Sequence, residues 1–230
     1  RAFGESKLFL EKYLIRPKHI EVQILGDNYG NIVHLYDRDC SVQKNNQKVV
    51  EFAPAWTISD EIRKKIMDSA KRLARRVGYT NAGTMEFLVD EEQHPFFIEM
   101  NPRIQVEHTV TEMITGIDIV ICQILVAEGY PLNSPDIHIY SQNEVKCVGH
   151  SIQVRITTED PSNHFLPDHG KIDLYRSSAG NGIRLDGGVA YAGAVINSHY
   201  NSLLVKLVSH DRTFAGAIRK SVRALKEFRI

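Results

Sequence analysis

The chain has 230 residues, room for one large domain or two smaller ones, each with its own core. It is 43% hydrophobic and 24% charged, with 28 basic residues against 28 acidic ones, an ordinary globular composition. The even balance argues against a nucleic-acid or membrane-surface partner, which selects a basic excess or stripe, and no apolar run reaches transmembrane length.

In chain order the first signal is a hairpin: "HIEVQIL" alternates, "GDNYGN" is a turn cluster and "IVHLYDRD" alternates again. "CSVQKNNQK" follows as a third strand or an exposed loop. "SDEIRKKIMDSAKRLARRVG" predicts an amphipathic helix with Ser59 as N-cap and Asp60 and Glu61 in the first turn. Its apolar face is Ile62, Ile66, Ala70, Leu73 and Val77, and Gly78 is the stop. Two strands, "AGTMEFLVD" and "FFIEMN", flank the turn "EEQHP". "TVTEMITG" and "DIVICQILVAEG" predict two helices, the second buried and ending at Gly129, with Pro131 close behind.

The loop-like stretch from Tyr130 to Val148 marks a domain boundary, giving domains over 1–128 and 148–230 joined by a linker over 129–147. Beyond it "SIQVRITT", "KIDLYRS", "GIRLDG" and "SLLVKLVS" predict a mostly antiparallel sheet. A last helix, capped at Thr213, is expected to bury Ala217, Leu225 and Phe228. Cys40, Cys122 and Cys147 form no C-x-x-C pair, so neither a disulfide scaffold nor a cysteine zinc site is expected, and a reducing compartment is the default. The chain opens at Arg1 without Met or a signal-like segment and is expected to be a fragment.

Chemistry concentrates in "FFIEMNPRIQVEH". Side chains alternate along a strand, so Glu99 and Asn101 share a face, and Glu86 on the partner strand joins them if the register allows. Two carboxylates and an amide oxygen suit Mg²⁺ or Mn²⁺ held together with substrate phosphates. On spacing alone a solvated sheet face is an equal alternative. Phe96, Phe97, Ile98 and Met100 favour a strand apolar on both sides, where an unpaired carboxylate is costly.

Arg103 with Gln105 and Glu107 can hold a small anion beside a metal-bound phosphate and keep a carboxylate ionised as a base; an Arg–Glu surface pair is the plainer alternative. Lys48 is a further anion ligand or a solvated lysine. Arg155 shares the polar face of its strand with Ser151 and Gln153, facing either an anion or solvent. Glu11, Lys12 and Leu14 open the chain in a strand-like segment and, with His19, are positions that could touch a nucleotide.

Together "EKYLIRPKHIEVQILGD", "RDCSVQ", "NAGTMEFL", "FIEMNPRIQVEHTVTEMITGIDIV", "ITTEDP" and "GIRLDGG" resemble the biotin carboxylase portion of biotin-dependent carboxylases, over essentially the whole chain. Thr109 after "QVEH", "ITTEDP" and "YRSSAGNGIRLDGG" resemble the pyruvate carboxylase branch more than the acetyl-CoA carboxylase branch. The resemblance implies an α+β chain: the C-terminal part of an ATP-grasp fold, then a small, mostly antiparallel biotin carboxylase C-terminal domain. It implies ATP-dependent activation of bicarbonate as carboxyphosphate and carboxylation of biotin.

By the resemblance, Glu86, Glu99 and Asn101 are metal and ATP-phosphate ligands, Arg103 is the catalytic arginine and Glu107 is the base for bicarbonate. Lys48, Arg103, Gln105 and the backbone of Val106 hold bicarbonate, and Arg155 stabilises carboxyphosphate and biotin. Glu11, Lys12, Leu14, His19, Gln43, Asn46 and Leu88 surround the nucleotide. It further implies a biotin carrier domain, a carboxyltransferase domain and a homo-oligomer, with Arg184 at a family dimer interface. The expected compartment is cytoplasmic in a bacterium, mitochondrial or cytoplasmic in a eukaryote.

Lys44, Asn45 and Asn46 stand where the family has Arg-Arg-His, and Asn201 stands where it has Asp. The family's Gly-rich phosphate loop belongs to a part that the resemblance does not cover, so the fragment alone is expected to be inactive. Alternative readings are the biotin carboxylase subunit of an acetyl-CoA or other acyl-CoA carboxylase, and a non-catalytic ATP-grasp fragment or paralogue.

Overall fold

A computed structural model describes residues 10–188, 190–197 and 202–230. The first half contains β1 (Lys18–Gly26), β2 (Ile32–Lys44), β3 (Gln47–Ala53), α1 (Asp60–Arg76), β4 (Asn81–Val89), β5 (Pro95–Asn101), α2 (His108–Thr115) and α3 (Ile119–Ala127). The second contains β6 (His150–Thr157), β7 (Glu159–Asp160), β8 (Leu166–Pro167), β9 (Gly170–Lys171), β10 (Ile183–Gly187), β11 (Val195–Ile196), β12 (Leu203–Asp211) and α4 (Phe214–Glu227). Eight strands form one sheet in the order β10-β12-β6-β3-β2-β1-β4-β5. Every pairing in it is antiparallel. The sheet continues through the sequence boundary, because β3 pairs with β6 from Val50–Val154 to Ala53–Ser151.

The polar stretch after the first hairpin is shared between two strands, its end at Gln47 and Lys48 opening the third strand, β3. β2 runs on to Lys44, and Asn45 and Asn46 form a two-residue turn closed by the Lys44–Gln47 pair. Both asparagines have positive φ (50° and 63°), the conformation of a type I′ hairpin turn, which asparagine tolerates better than other non-glycine residues. Within the β1–β2 pair the register shifts between Val22 and Ile24, and Tyr36 on β2 there has φ 66°. A bulge of this kind adds a residue to one strand and re-aims the side chains beyond it.

The two faces of the sheet differ. Ile20, Val22 and Ile24 pack with Met85, Phe87 and Val89 under Ile66, Ala70 and Ala74 of α1. On the same side Phe52 and Ile152 meet Ala217 and Phe214 around α4. Toward the opposite face β1 turns Glu21, Gln23 and Leu25. Leu25 joins Val33, Leu35 and Ala82 against α3. Glu21 and Gln23 lie in a polar interior that α2 closes as it crosses β2, β3, β6 and β12.

Several expectations shift in detail. Ser59 caps α1 by accepting from the Ile62 N–H, but the buried stripe runs Ile66, Ala70, Ala74, leaving Leu73 and Val77 outside. In α3, Ile119, Cys122 and Val126 are buried while Val120, Ile121 and Ile124 are exposed, because only one side of this helix, apolar but for Gln123, meets the sheet. β5 is the edge strand, with one neighbour, so Phe97 and Ile98 are about half exposed rather than enclosed on both sides. Thr213 caps α4, whose Ala217, Ser221 and Ala224 lie close against the sheet. Leu225 is turned off that stripe, and Phe228 follows the helix and packs on Tyr175. "KIDLYRS" contributes only β9 and an isolated Arg176–Arg229 bridge. The segment at Glu11–Leu14 carries no strand.

The turn yields a measurable consequence. Asn45→Ala destabilises the protein by about 1 kcal/mol in urea unfolding, whereas Asn45→Gly leaves the midpoint close to wild type.

Candidate active site

Register builds the site. Glu21 stands opposite Arg38 on β2 and opposite Glu86 on β4, and Glu86 stands opposite Glu99 on β5. One guanidinium and three carboxylates therefore form a row across four strands, and like charges directly opposite repel unless each finds a cation.

Arg38 is fully buried and uses all five of its N–H donors. Nε donates to Glu21 Oε2 at 3.1 Å. One terminal nitrogen donates to Gln23 Oε1 (2.7 Å) and Thr111 Oγ1 (3.1 Å). The other donates to Thr84 Oγ1 and Gln105 Oε1, both at 3.0 Å.

Lys48, on β3, is a half-buried cation rather than a solvated one. Its ammonium donates to Glu21, to Glu107 Oε1 at 2.8 Å and to Glu86 Oε1 at 3.3 Å. Burial favours its neutral form, but the carboxylates of Glu21 and Glu107 outweigh that and hold the ammonium above its ordinary range. Glu107 is buried, which raises its carboxyl, yet the charges of Arg38 and Lys48 bring it down to about 2.

Arg155 donates to Glu51 Oε1 at 2.7 Å and to Glu107 Oε2 at 3.2 Å. Ser151 and Gln153 beside it are buried, so the face that read as a possible solvated one is interior.

Glu86 accepts from Gln105 Nε2 (2.7 Å) and Asn101 Nδ2 (2.9 Å) and sits 2.6 Å from His19 Nε2. Burial raises its carboxyl, and the His19 hydrogen bond and Lys48 reverse this to about 2. The Asn101 amide also donates to Glu99 Oε1 at 3.1 Å, so one amide spans both carboxylates. Turned over, it presents an oxygen to the same point, and two carboxylates with an amide oxygen fit a hard divalent cation.

Arg103 donates to the Ile104 carbonyl (3.0 Å) and to Asn101 Oδ1 (3.4 Å) and, among the described residues, has no carboxylate partner. It opens on a cleft of 840 Å³ lined also by Lys44, Asn46, Lys48, Gln105, Val106, Glu107 and Arg155.

The nucleotide candidates gather less tightly. Gln43 Nε2 reaches His19 Nδ1 at 3.0 Å. His19 pairs with Leu88, which pairs with Phe96, and the Lys12 ammonium sits 4.8 Å from the Phe96 ring centre. Glu11 is exposed and Leu14 half-buried; among the described residues neither is hydrogen-bonded to the polar cluster. Asn201 lies outside the described residues.

Glu21, Arg38 and Glu51 emerged only from the structure. A straight continuation of the hairpin pairing would set Glu21 against Asp37; the shift at Val22–Ile24 sets it against Arg38. For Glu51 a usable signal existed: its strand residue lies two before Ala53 in an otherwise apolar run, where a charge demands a partner.

Residues 1–135 match the family described as carbamoyl-phosphate synthase L chain, ATP binding domain, and residues 153–230 match the biotin carboxylase C-terminal domain. The chain belongs to this ATP-binding family, with a biotin carboxylase C-terminal domain following. Within it the resemblance is to the biotin carboxylase portion of pyruvate carboxylases. The pyruvate carboxylase of Aspergillus niger is 57% identical over 229 residues, covering 100% of this chain and 19% of that protein. That of Bacillus subtilis is 55% identical, covering 100% and 20%. The chain thus spans about a fifth of the length of these relatives.

Among solved structures, a Rhizobium etli pyruvate carboxylase variant with acetyl coenzyme A superposes with a TM-score of 0.93 at 48% identity, over 97% of this chain and 22% of that one. The biotin carboxylase domain dimer of Hydrogenobacter thermophilus 2-oxoglutarate carboxylase, bound to MgADP, ADP and bicarbonate, gives 0.90 at 45% identity over 96% and 47%. The architecture is the C-terminal part of an ATP-grasp fold continued by a biotin carboxylase C-terminal domain.

Two outcomes are expected from the buried charges. Arg38→Met strands Glu21 in the interior and costs about 3–5 kcal/mol in chemical unfolding, far more than a surface arginine. Glu107 has a folded pKa below its ordinary 4.5, so its stabilisation is complete above that value and is lost as the pH falls toward about 2. Glu107→Gln flattens that segment of the acid-unfolding profile.

Proposed function

We propose that the protein containing this chain uses ATP and bicarbonate to carboxylate biotin through carboxyphosphate, as the biotin carboxylase part of a pyruvate carboxylase. The observation that carries this reading is the cleft in which Arg103 lacks an ion-pair partner among the described residues while Lys48 and Arg155 converge on one ionised carboxylate, Glu107. An anion of bicarbonate size entering there meets three cations and one base.

In this reading Arg103, Gln105 and the Val106 backbone orient bicarbonate, and Lys48 takes over an anionic oxygen as its contact with Glu107 loosens. Glu107 accepts the bicarbonate proton, and the bicarbonate oxygen attacks the terminal phosphorus of ATP, releasing ADP. Arg155 stabilises negative charge on carboxyphosphate, which breaks into CO₂ and phosphate, and then on biotin, whose N1 gives its proton to that phosphate and bonds the CO₂ as a carboxyl group. Preplaced cations act on charge as it develops, without reorganisation. Glu86, Glu99 and Asn101 would hold Mg²⁺ or Mn²⁺, which neutralises phosphate charge. His19, Gln43, Leu88 and Lys12 border the nucleotide.

Solved relatives support the ligand set: the H. thermophilus domain was solved with MgADP and bicarbonate, and the Campylobacter jejuni biotin carboxylase, 43% identical with a TM-score of 0.91, as a β-γ-ATP complex. A carrier domain bearing biotin, a carboxyltransferase domain and a second copy of the module are the partners this reading requires.

In full-length protein, ATP cleavage is expected to require bicarbonate and to rise with biotin; turnover indifferent to biotin but stimulated by an amine would overturn the assignment. Arg103→Ala lowers biotin carboxylation by roughly 10²- to 10³-fold. Glu99→Gln raises the Mg²⁺ concentration needed for half-maximal rate while leaving the unfolding midpoint near wild type, as befits an exposed carboxylate.

A further inference from the structure

Arg155 on β6 stands opposite Lys206 on β12, and Lys206 stands opposite Asp186 on β10. Two cations side by side on one sheet face repel unless each is aimed at a separate acceptor. Here they diverge onto adjacent residues of one loop. Arg155 reaches the Glu107 carboxylate, and the Lys206 ammonium donates to the Val106 carbonyl at 3.0 Å.

Lys206 is buried, and its only carboxylate partner among the described residues is Asp186, at 3.1 Å. Asp186 in turn accepts from Nε and a terminal nitrogen of Arg184 (2.8 and 3.1 Å). Arg184 donates onward to Glu112 Oε2 at 2.6 Å, and Glu112 Oε1 accepts the Ile119 N–H at 2.8 Å. The chain of contacts runs from the Val106 peptide through β12 and β10 to α2 and the first turn of α3.

We propose that Lys206 is a positioning residue for the Arg103–Glu107 loop: by holding the Val106 carbonyl it fixes the peptide that joins Val106 to Glu107, and so the direction in which Glu107 meets bicarbonate. The proposal rests on the function proposed above. Elsewhere the loop backbone is tied to its own helix, through His108 N–H and Nδ1 at the Gln105 carbonyl (3.2 and 2.8 Å). Its other ties to the sheet are made by side chains, Gln105 to Arg38 and Glu86, and Glu107 to Lys48 and Arg155. Lys206 instead holds a backbone carbonyl of the loop, from the strand position next to Arg155. A lysine suits this position, since a single ammonium can serve one carbonyl and one carboxylate at once, and burying it without both would be costly.

The test uses full-length protein and compares Lys206→Met, which keeps the chain length and removes the donor, with Lys206→Arg. Lys206→Met is expected to raise the KM for bicarbonate and lower kcat together, by roughly tenfold or more, as a displaced reacting group does. Affinity for MgADP, read by calorimetry, stays near wild type, and Lys206→Arg recovers a substantial part of the loss. Asp186→Asn, which leaves the ammonium on Val106, retains most of the activity. Wild-type bicarbonate kinetics in Lys206→Met would overturn the proposal. So would a parallel fall in MgADP affinity, thermal stability and rate, which marks a merely structural lysine. If the wild-type protein itself shows no bicarbonate-dependent biotin carboxylation, the functional reading fails instead, and the two failures are distinct.

Discussion

A guanidinium with no access to solvent sits where β1, β2, β4 and α2 meet, and the rest of the site depends on it. Without Arg38 the row Glu21–Glu86–Glu99 would be three carboxylates on adjacent strands with too little opposing charge. With it, Glu21 is neutralised on one side, which leaves Lys48 able to divide its ammonium among Glu21, Glu86 and Glu107. The same guanidinium orients Gln105, whose carbonyl it holds while its amide goes to Glu86. Removing a charge from such a network costs more than any pairwise contact, since Glu21, Glu86, Gln105 and Glu107 are all buried.

The arrangement also separates duties between cations. Arg38 has no donor left over and no exposure; it organises. Lys48 and Arg155 are partly exposed and share their contacts between fixed carboxylates and the cleft. Arg103 faces outward, with only a carbonyl and an amide oxygen as acceptors among the described residues. Burial, charge and spare donors thus grade from the sheet interior to the cleft mouth, and an incoming anion meets the least committed cation first.

What could be read beforehand depends on what a sequence encodes. The helix over Asp60–Arg76, the hairpins and the grouping of Glu86, Glu99 and Asn101 rest on local periodicity and spacing, and these are local properties. The alternation in "HIEVQIL" was legible as two faces, but not that the polar face is interior too, because α2 arrives from far along the chain to cover it. Glu21 and Arg38 stayed hidden for a more specific reason. Their pairing depends on a one-residue shift marked only by Tyr36 at positive φ, and no residue type there announces a bulge. Phe97 and Ile98 misled in the opposite direction, since an apolar run does not say whether its strand has one neighbour or two.

The β3–β6 seam carries a consequence for how the molecule comes into being. Glu51 and Arg155, bonded across it, are 104 positions apart in the chain. During synthesis β3 is therefore an open sheet edge until β6 has emerged, with Glu51 lacking its cation and Glu107 holding only part of its final set. Such an edge invites pairing with another chain, and contacts at this separation form slowly. The charged interior that serves an anion in the finished protein discourages that pairing in the unfinished one, because a strange strand would have to bury carboxylates without bringing the guanidinium that Arg155 supplies.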